Sequence, residues 1–276
     1  MLVVGFCCLI AFGVHERFFA RKSFLPFHLL TDRTVLGSCF LSGTLFVSFY
    51  CWDLYFTSWL QVVHNLSIKD AGYVGNTYNI GSCVFAIVIG FLVKYVGSFK
   101  WIALACVPLQ ILGTGLMIHF RDPSQGIGYV VMCQIFISFS GGALVVLEQL
   151  AIMAAVGPDN VAVALALQAL FTSVGGAIGT SVSGAIWTNT LPTALATYLP
   201  DTAQGQATAI YASLVTALSY EWGSPEREGI IQAYSVSQRY MCIAATAVLA
   251  FAFFCVLMWK DIKVKDFQRP KGATVL

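Results

Sequence analysis

Two carboxylates stand inside long apolar stretches of the sequence, where a charged side chain needs a chemical reason. Asp53 lies in a run rich in aromatic residues, and Glu148 lies beside the amide of Gln149 in a second apolar run. A carboxylate in such surroundings is costly, so it commonly faces a helix-bundle interior or a water-filled path. Both residues are therefore candidate proton-binding groups, and Asp53 is the stronger one, because the depth of Glu148 in its span places it nearer the cytoplasmic mouth. Glu148 also has a structural interpretation, namely snorkelling or pairing with the loop that carries Lys94 and Lys100, and Asp53 could instead be paired or lie at an interface.

The aromatic residues around Asp53 suggest a ligand surface. Phe46, Phe49, Asp53 and Phe56 share one face at 3.6 residues per turn. Trp and Tyr favour the headgroup level of a bilayer, which accounts for Trp59 but not for Asp53. Aromatic walls with a few amide groups suit a bulky, polar and weakly charged ligand, although hydrogen bonding between helices is the alternative. The candidate substrate path comprises Asp53, Tyr50, Phe49, Phe56, Tyr73, Asn76, Tyr78 and Asn79.

Other kinds of site find little support in the sequence. It contains no GxSxG, P-loop, HExxH or dinucleotide-binding fingerprint, so no enzyme class is indicated. The nine cysteines form no CxxC pair and the four histidines lack ligand spacing. We therefore interpret the cysteines as small buried hydrophobes and expect no metal site and no cofactor. The basic residues are too dispersed to form a face for nucleic acid.

The elements that position these residues are membrane helices. The chain is 58% hydrophobic and 10% charged, with a mean hydropathy of +0.79, whereas soluble domains carry roughly 25% charged residues. A membrane span needs about 20 apolar residues. The fold class predicted is all-α, an integral membrane bundle with spans near 36–59, 71–93, 99–119, 127–153, 161–187 and 239–259, preceded by a partial transmembrane helix at 1–14.

The distribution of basic residues predicts the orientation of these spans. Most of the 15 Lys and Arg residues fall on one side when the tail after the last span is placed in the cytoplasm. The cytoplasmic segments are then 15–35, 94–100, 154–160 and 260–276, and the outer segments are 60–70, 120–126 and 188–238.

The outer segment 188–238 is too long to be a simple connector. Ile210, Leu214 and Leu218 recur at the spacing of an amphipathic helix. Ser224 followed by Pro225 is typical of a helix start and predicts a second short helix. We expect a structured extracellular loop that acts either as a packing element or as a gate for the ligand.

One span carries a stripe of small residues at helical spacing. Such a stripe allows a neighbouring backbone to approach closely and is typical of helix contacts in membranes. The glycines lie within a helix, which argues against a phosphate-binding loop. The predicted helix-packing residues are Gly175, Gly179, Ser183 and Gly184.

Several stretches resemble one group of transporters. Residues 50–83, 141–156 and 163–200 resemble the later spans of the fungal siderophore–iron transporters, a 14-span group of the major facilitator superfamily. Residues 90–101, GFLVKYVGSFKW, resemble a degenerate copy of that superfamily's short charged loop without its first acidic residue. The resemblance implies uptake of ferric siderophores, driven by the proton gradient, with Asp53 and Glu148 as candidates for proton coupling.

The resemblance also implies an architecture. The family fold has two six-helix halves around a central cavity, and this chain matches the C-terminal six-helix half. The missing N-terminal half would be a required partner, and the chain would be a fragment of a transporter in the plasma membrane or an endosomal vesicle membrane. Because the siderophore supplies the iron ligands, no protein metal site is implied. Alternatives are a drug or toxin exporter, a glutathione exchanger of the same superfamily, or a non-transporting truncated or regulatory membrane protein.

Overall fold

The computed structural model describes residues 2–18 and 31–263, and nearly all of them lie in helices. The predicted segments 15–35 and 260–276 fall largely outside the described residues. Within those ranges, the sole pairing of extended backbone is an isolated bridge between Ser98 and Lys263. The helices are α1 (Leu2–Phe18), α2 (Arg33–Asp53), α3 (Phe56–His64), α4 (Ile68–Val96), α5 (Phe99–Phe120), α6 (Ile127–Ala155), α7 (Val161–Tyr198), α8 (Ala207–Ala212), α9 (Leu214–Leu218) and α10 (Pro225–Leu257).

Six of the described segments are long and apolar enough to cross a membrane, with α2 and α3 together forming the first. The predicted all-α class is therefore confirmed. The helix ends differ from the sequence-based expectation, because α7 continues to Tyr198 and α10 begins at Pro225. Much of the predicted loop 188–238 is helix, and the connection between the two long helices is only 199–224. Hydropathy missed these extensions because their helical turns are polar.

Side-chain caps and one glycine define several helix ends. Asp32 accepts a hydrogen bond from the backbone N–H of Thr34 at 2.8 Å at the start of α2. Gly97 ends α4 with φ +75°, a conformation that costs glycine little. Ser224 caps α10 with Pro225 at its first position. The predicted cap is thus present, but it starts a membrane-length helix and not a short one.

The first span is the centre of the bundle. α2 packs against α7, α10 and α6, while α4 packs mainly against α6 and α5 packs against α6 and α10. Two large apolar clusters occupy opposite ends of the bundle, one around Trp52 and Trp59 and the other around Leu144 and Trp259. α4 remains largely exposed, with few of its residues buried. This open face lies beside the residues that the sequence singled out.

Glycines allow α2 and α7 to touch backbone to backbone. A Cβ added to Gly175 would lie 2.3 Å from the carbonyl oxygen of Gly43, and one added to Gly179 would lie 2.6 Å from that of Val47. Ser183 is buried with its hydroxyl 3.5 Å from Sδ of Met241 on α10. We call the contact of Gly43 and Val47 with Gly175 and Gly179 the glycine seam. Gly184 lies outside it, with nothing within 4 Å of an added Cβ.

The connection 199–224 contains two short helices where the sequence suggested one. α8 and α9 are separated at Ser213, whose side chain caps α9 by accepting from the N–H of Thr216. The buried Arg227 at the start of α10 donates to the carbonyl oxygens of Ala217 (2.5 Å) and Val62 (2.9 Å). These bonds tie the connection to both α3 and α10.

Candidate functional site

A cavity lined by aromatic rings lies between α2, α4, α5 and α6. The ring centroids of Phe49 and Tyr78 are 5.0 Å apart, and that of Trp52 lies 5.3 Å from Phe49 and 5.9 Å from Tyr78. The volume is about 130 Å³. We call it the aromatic cavity, and its lining comprises Leu45, Phe46, Phe49, Trp52, Tyr78, Asn79, Gln110, Gly141 and Val145.

Amide groups supply the polar part of the aromatic cavity. The carbonyl oxygen Oε1 of Gln110 accepts a hydrogen bond from Ser140 Oγ at 2.5 Å. The amide of Asn79 donates to Oδ1 of Asn76 at 3.3 Å. A Cβ at Gly141 would lie 2.9 Å from the hydroxyl oxygen of Tyr78, so glycine leaves the space that this ring occupies.

A second cavity of about 460 Å³ adjoins the first and contains Glu148. The two cavities share Phe46 and Val145 in their walls, so they form one track along α2 and α6. We call the second one the acidic cavity. Its other lining residues are Ser42, Gln149, Met153, Leu165, Gln168, Ala169, Thr172 and Ser173.

The Glu148 side chain is buried in a polar recess of the acidic cavity. Its atom Oε2 has no hydrogen-bond partner, and the side chains of Ser42 and Gln168 lie beside the carboxyl group. Ser42 Oγ is also within 2.6 Å of Thr172 Oγ1. A buried carboxylate without a cation is costly. A proton on Glu148 would remove this cost, because the neutral acid can be buried without a cation.

The alternative pairing of Glu148 with Lys94 or Lys100 is not formed. Lys100 donates to the backbone oxygens of Leu257 and Trp259 at the end of α10, and Lys94 is exposed. Between residues 31 and 263, the ion pair present joins Lys260 to Asp32.

Only some of the predicted path residues come together. Phe49, Tyr78 and Asn79 line the aromatic cavity. Tyr73 is 65% exposed on α4, and Asn76, also exposed, donates to the carbonyl oxygen of Gly72 in its own helix. These two residues line neither cavity.

The other predicted residues, Tyr50, Asp53 and Phe56, line neither cavity. Tyr50 packs on α7, where a Cβ at Gly176 would lie 3.0 Å from its ring. Asp53 is half-buried and is absent from the linings of both cavities. Phe56 is fully buried against the Trp52 ring, with centroids 5.9 Å apart. Phe56 is not in the same helix as Phe46, Phe49 and Asp53, because α2 ends at Asp53 and α3 starts at Phe56.

Sequence reasoning missed two residues. Gln110 interrupts an apolar span, which is the same signal that identified Glu148, and it would have been found by listing every polar residue inside a span. Arg121 follows the last residue of α5 and therefore looked like a solvated loop residue. Its side chain is in fact fully buried beneath the break between α2 and α3.

The cysteines differ in part from the expectation. Six of them are buried, but Cys7, Cys8 and Cys83 are exposed on helix surfaces. Among residues 2–18 and 31–263, no three His, Cys, Asp or Glu side chains are grouped as metal ligands would be.

Comparison with known families places this fold. The Major Facilitator Superfamily profile matches residues 41–190, which is more than half of the chain. The chain belongs to the Major Facilitator Superfamily. This membership, together with the six apolar segments, makes it a multi-pass membrane protein of a transporter superfamily.

Several curated members of the superfamily are similar along almost the whole chain. "MFS siderochrome iron transporter 1" of Ajellomyces capsulatus is 53% identical over 100% of this chain and 47% of its own length. "Siderophore iron transporter mirB" of Emericella nidulans is 45% identical over 99% of this chain and 45% of its own. "Siderophore iron transporter 1" of Schizosaccharomyces pombe is 39% identical over 93% and 42%. The chain spans about half the length of these relatives.

The solved structure of another transporter shares the fold. A bacterial homologue of the human lysosomal transporter Spinster, in an inward-facing and occupied conformation, aligns with a TM-score of 0.57. The alignment covers 84% of this chain and 50% of that protein at 16% sequence identity.

Proposed function

We propose that the chain forms the C-terminal half of a transporter that imports ferric siderophores, driven by protons. The observation that carries this proposal is 53% identity over the whole chain to a protein named as a siderochrome iron transporter. The membrane would be the plasma membrane or that of an endosomal vesicle.

The chemistry of the two cavities supports a bulky, weakly charged substrate. Their walls combine aromatic, aliphatic, amide and hydroxyl side chains with one carboxyl group, and no Lys, Arg or His side chain lines either cavity. A ferric siderophore presents an organic shell, because its own oxygen atoms ligate the iron. The protein then needs to supply a fitting surface and not metal ligands.

The exposed polar rim of the two cavities supports a second half. The aromatic cavity, at about 130 Å³, is below the 300–1,000 Å³ of typical ligand pockets, whereas the acidic cavity, at about 460 Å³, is within that range. The exposed Asn79 of α4 borders the aromatic cavity, and the exposed Ser173 of α7 borders the acidic cavity. In our proposal the substrate lies across both cavities, enclosed by a second helical half that alternates with this one.

We assign proton coupling first to Glu148 and second to Asp53, which reverses the order expected from the sequence. Glu148 lines the track and has an oxygen atom without a hydrogen-bond partner. Asp53 lines neither cavity and lies within electrostatic reach of Arg121. A proton on Glu148 removes the cost of a buried charge, so binding or loss of the proton can favour different arrangements of the two halves.

Uptake in iron-starved yeast that lacks its own siderophore importers tests the proposal. The chain is expressed alone and as a fusion to the N-terminal half of the Ajellomyces capsulatus relative, with the intact relative as the positive control. The N-terminal half alone is the matched negative control. We expect accumulation of labelled ferric siderophore with the fusion and none with either half.

Two results would contradict the proposal. A fusion that reaches the membrane and does not accumulate the complex would argue against uptake, and added resistance to xenobiotics would then favour export. Accumulation by the chain alone would argue against the need for a second half.

A further inference from the structure

The first span is broken at a place where its own sequence gives no cause. α2 ends at Asp53 and α3 begins at Phe56, with Tyr55 outside helical geometry at φ −110° and ψ 13°. Breaks in helices normally arise at Pro, at Gly and Ser, or where a side chain enters the hydrogen-bond ladder. Residues 50–57, YCWDLYFT, contain no Gly, Pro or Ser. The cause must come from outside the segment.

The guanidinium group of Arg121 meets the backbone at that break. Its NH1 donates to the carbonyl oxygen of Trp52 at 2.9 Å and to Oε1 of Gln238 at 2.5 Å. In an uninterrupted helix, the oxygen of Trp52 would accept from the N–H of Phe56. Arg121 thus satisfies a carbonyl group from another element of the bundle.

Aromatic rings from both sides of the break surround the same cation. The guanidinium carbon lies 5.2 Å from the ring centroid of Trp52, 4.3 Å from that of Phe56 and 5.9 Å from that of Trp59. Desolvated contacts of this kind are the favourable setting for a cation over a ring. Arg121 is fully buried, and no carboxylate lies within 4 Å of it among the described residues.

Trp52, which Arg121 contacts in this way, belongs to the aromatic cavity. Trp52 lines the cavity and contacts the rings of Phe49 and Tyr78, while Arg121 contacts its carbonyl oxygen and its ring from behind. We infer that Arg121 is a positioning residue that creates the break in the first span and fixes Trp52 as a wall of the substrate cavity. The role in substrate binding rests on the proposed function, but the break does not.

The effect on binding is measured in the fused transporter. Arg121→Lys keeps the charge but loses the planar, forked donor, so we expect the KM for ferric siderophore to rise about tenfold with little change in maximal rate. Trp52→Phe should raise KM as well, and the double variant should be no worse than Trp52→Phe, because both act through one side chain. Arg239→Lys is the matched control, an exposed arginine next to Gln238.

Two outcomes of that experiment contradict the inference. The first is an unchanged KM in Arg121→Lys at normal membrane abundance. The second is a double variant in which KM rises by the product of the effects of Arg121→Lys and Trp52→Phe. If Arg121→Lys does not reach the membrane, Gln238→Leu replaces it, since it removes one partner of the guanidinium. A normal KM in Gln238→Leu would then overturn the inference.

Hydrogen exchange of the purified fusion tests the break without substrate. Arg121→Met leaves the oxygen of Trp52 free to accept from Phe56, so the helix should close and amide exchange across residues 54–57 should slow. Unchanged exchange contradicts the role of Arg121. This measurement still decides the matter if the wild-type fusion accumulates no siderophore, a result that would count against the proposed function alone.

Discussion

Among the residues of the site, Glu148 carries the buried polar group that its surroundings compensate least. It is buried, one of its oxygen atoms lacks a partner, and the two lysines considered as partners bind or point elsewhere. A carboxyl group in this position is favourable in its protonated, neutral form. Its ionised form requires surroundings that compensate the charge. That property suits a residue whose charge alternates during a transport cycle.

Glu148→Gln removes this change of charge while keeping the shape of the side chain. We expect the initial rate of uptake by the fused transporter to fall about tenfold, equivalent to ~1.4 kcal/mol, and to lose its dependence on external pH. Labelled ferric siderophore uptake between pH 5 and pH 8 measures both effects. Glu228→Gln, exposed at the start of α10, should behave as wild type.

Asp53→Asn should have a smaller effect on uptake than Glu148→Gln, because Asp53 lies outside both cavity linings. The same uptake assay measures it. Normal rates with normal pH dependence in both variants would exclude coupling through these carboxylates.

A second acidic residue, Asp32, lies outside the membrane spans, immediately before α2. Burial alone would raise the pKa of Asp32, but the ammonium group of Lys260 and the N–H groups of Thr34 and Val35 outweigh it and hold the pKa below its ordinary value of 3.8. The stabilisation is therefore present above that value and is lost as the pH falls through the lower, folded-state pKa.

Asp32→Asn preserves the helix cap and removes the ion pair. At neutral pH we expect a loss of no more than about 1 kcal/mol, because the pair is partly exposed. The difference from wild type should disappear at a pH below the folded-state pKa. Thermal unfolding in detergent at several pH values measures this, with the exposed Asp201→Asn as control. A constant difference at all pH values would show that the cap and not the charge is responsible.

Among the contacts between helices, the one between α2 and α7 leaves the least room for a larger side chain. The glycine seam brings two backbones together where a single methyl group would clash with a carbonyl oxygen. Backbone atoms cannot move aside as flexible side chains do, so the cost falls on the helix pair as a whole.

Gly175→Ala and Gly184→Ala form a matched pair within one helix. The first places a methyl group 2.3 Å from the oxygen of Gly43 and should destabilise the fold by about 1–3 kcal/mol. The second meets nothing within 4 Å in this half and should be tolerated. Thermal unfolding of detergent-solubilised protein compares them, and equal melting temperatures would contradict the seam.

The helices also show which parts of the fold could be predicted from the sequence. Long apolar runs predicted all six spans, because burial in lipid demands them. The polar turns of α10 between Pro225 and Gln238 were missed, since their burial comes from α3 and the connection 199–224 and not from lipid. The break at Tyr55 was missed for a similar reason: its partner Arg121 is distant in sequence. Glu148 could be found because a carboxylate in an apolar run is anomalous by itself.

At the scale of the whole molecule, exposed surfaces are of two kinds. α7 exposes Ser173 at the acidic cavity, whereas α10 exposes large apolar residues such as Phe254. In our proposal the first surface faces water and the second half, and the other faces lipid.

Single cysteines distinguish the two surfaces. In a fusion with Cys7, Cys8 and Cys83 replaced by Ser, we expect Ser173→Cys to react with a water-soluble maleimide and to be protected by ferric siderophore. Phe254→Cys should remain unlabelled because it lies in lipid. Labelling of Phe254→Cys at the rate of Ser173→Cys would contradict this arrangement of the bundle.

The lengths of α7 and α10 have a practical consequence for imaging. With 38 and 33 residues they extend about 57 and 50 Å, against a hydrocarbon thickness of about 30 Å. Their ends meet at the connection 199–224, where Arg227 ties three segments together. A rigid projection of this kind would stand clear of a detergent micelle and help to orient particles of a small transporter in electron micrographs.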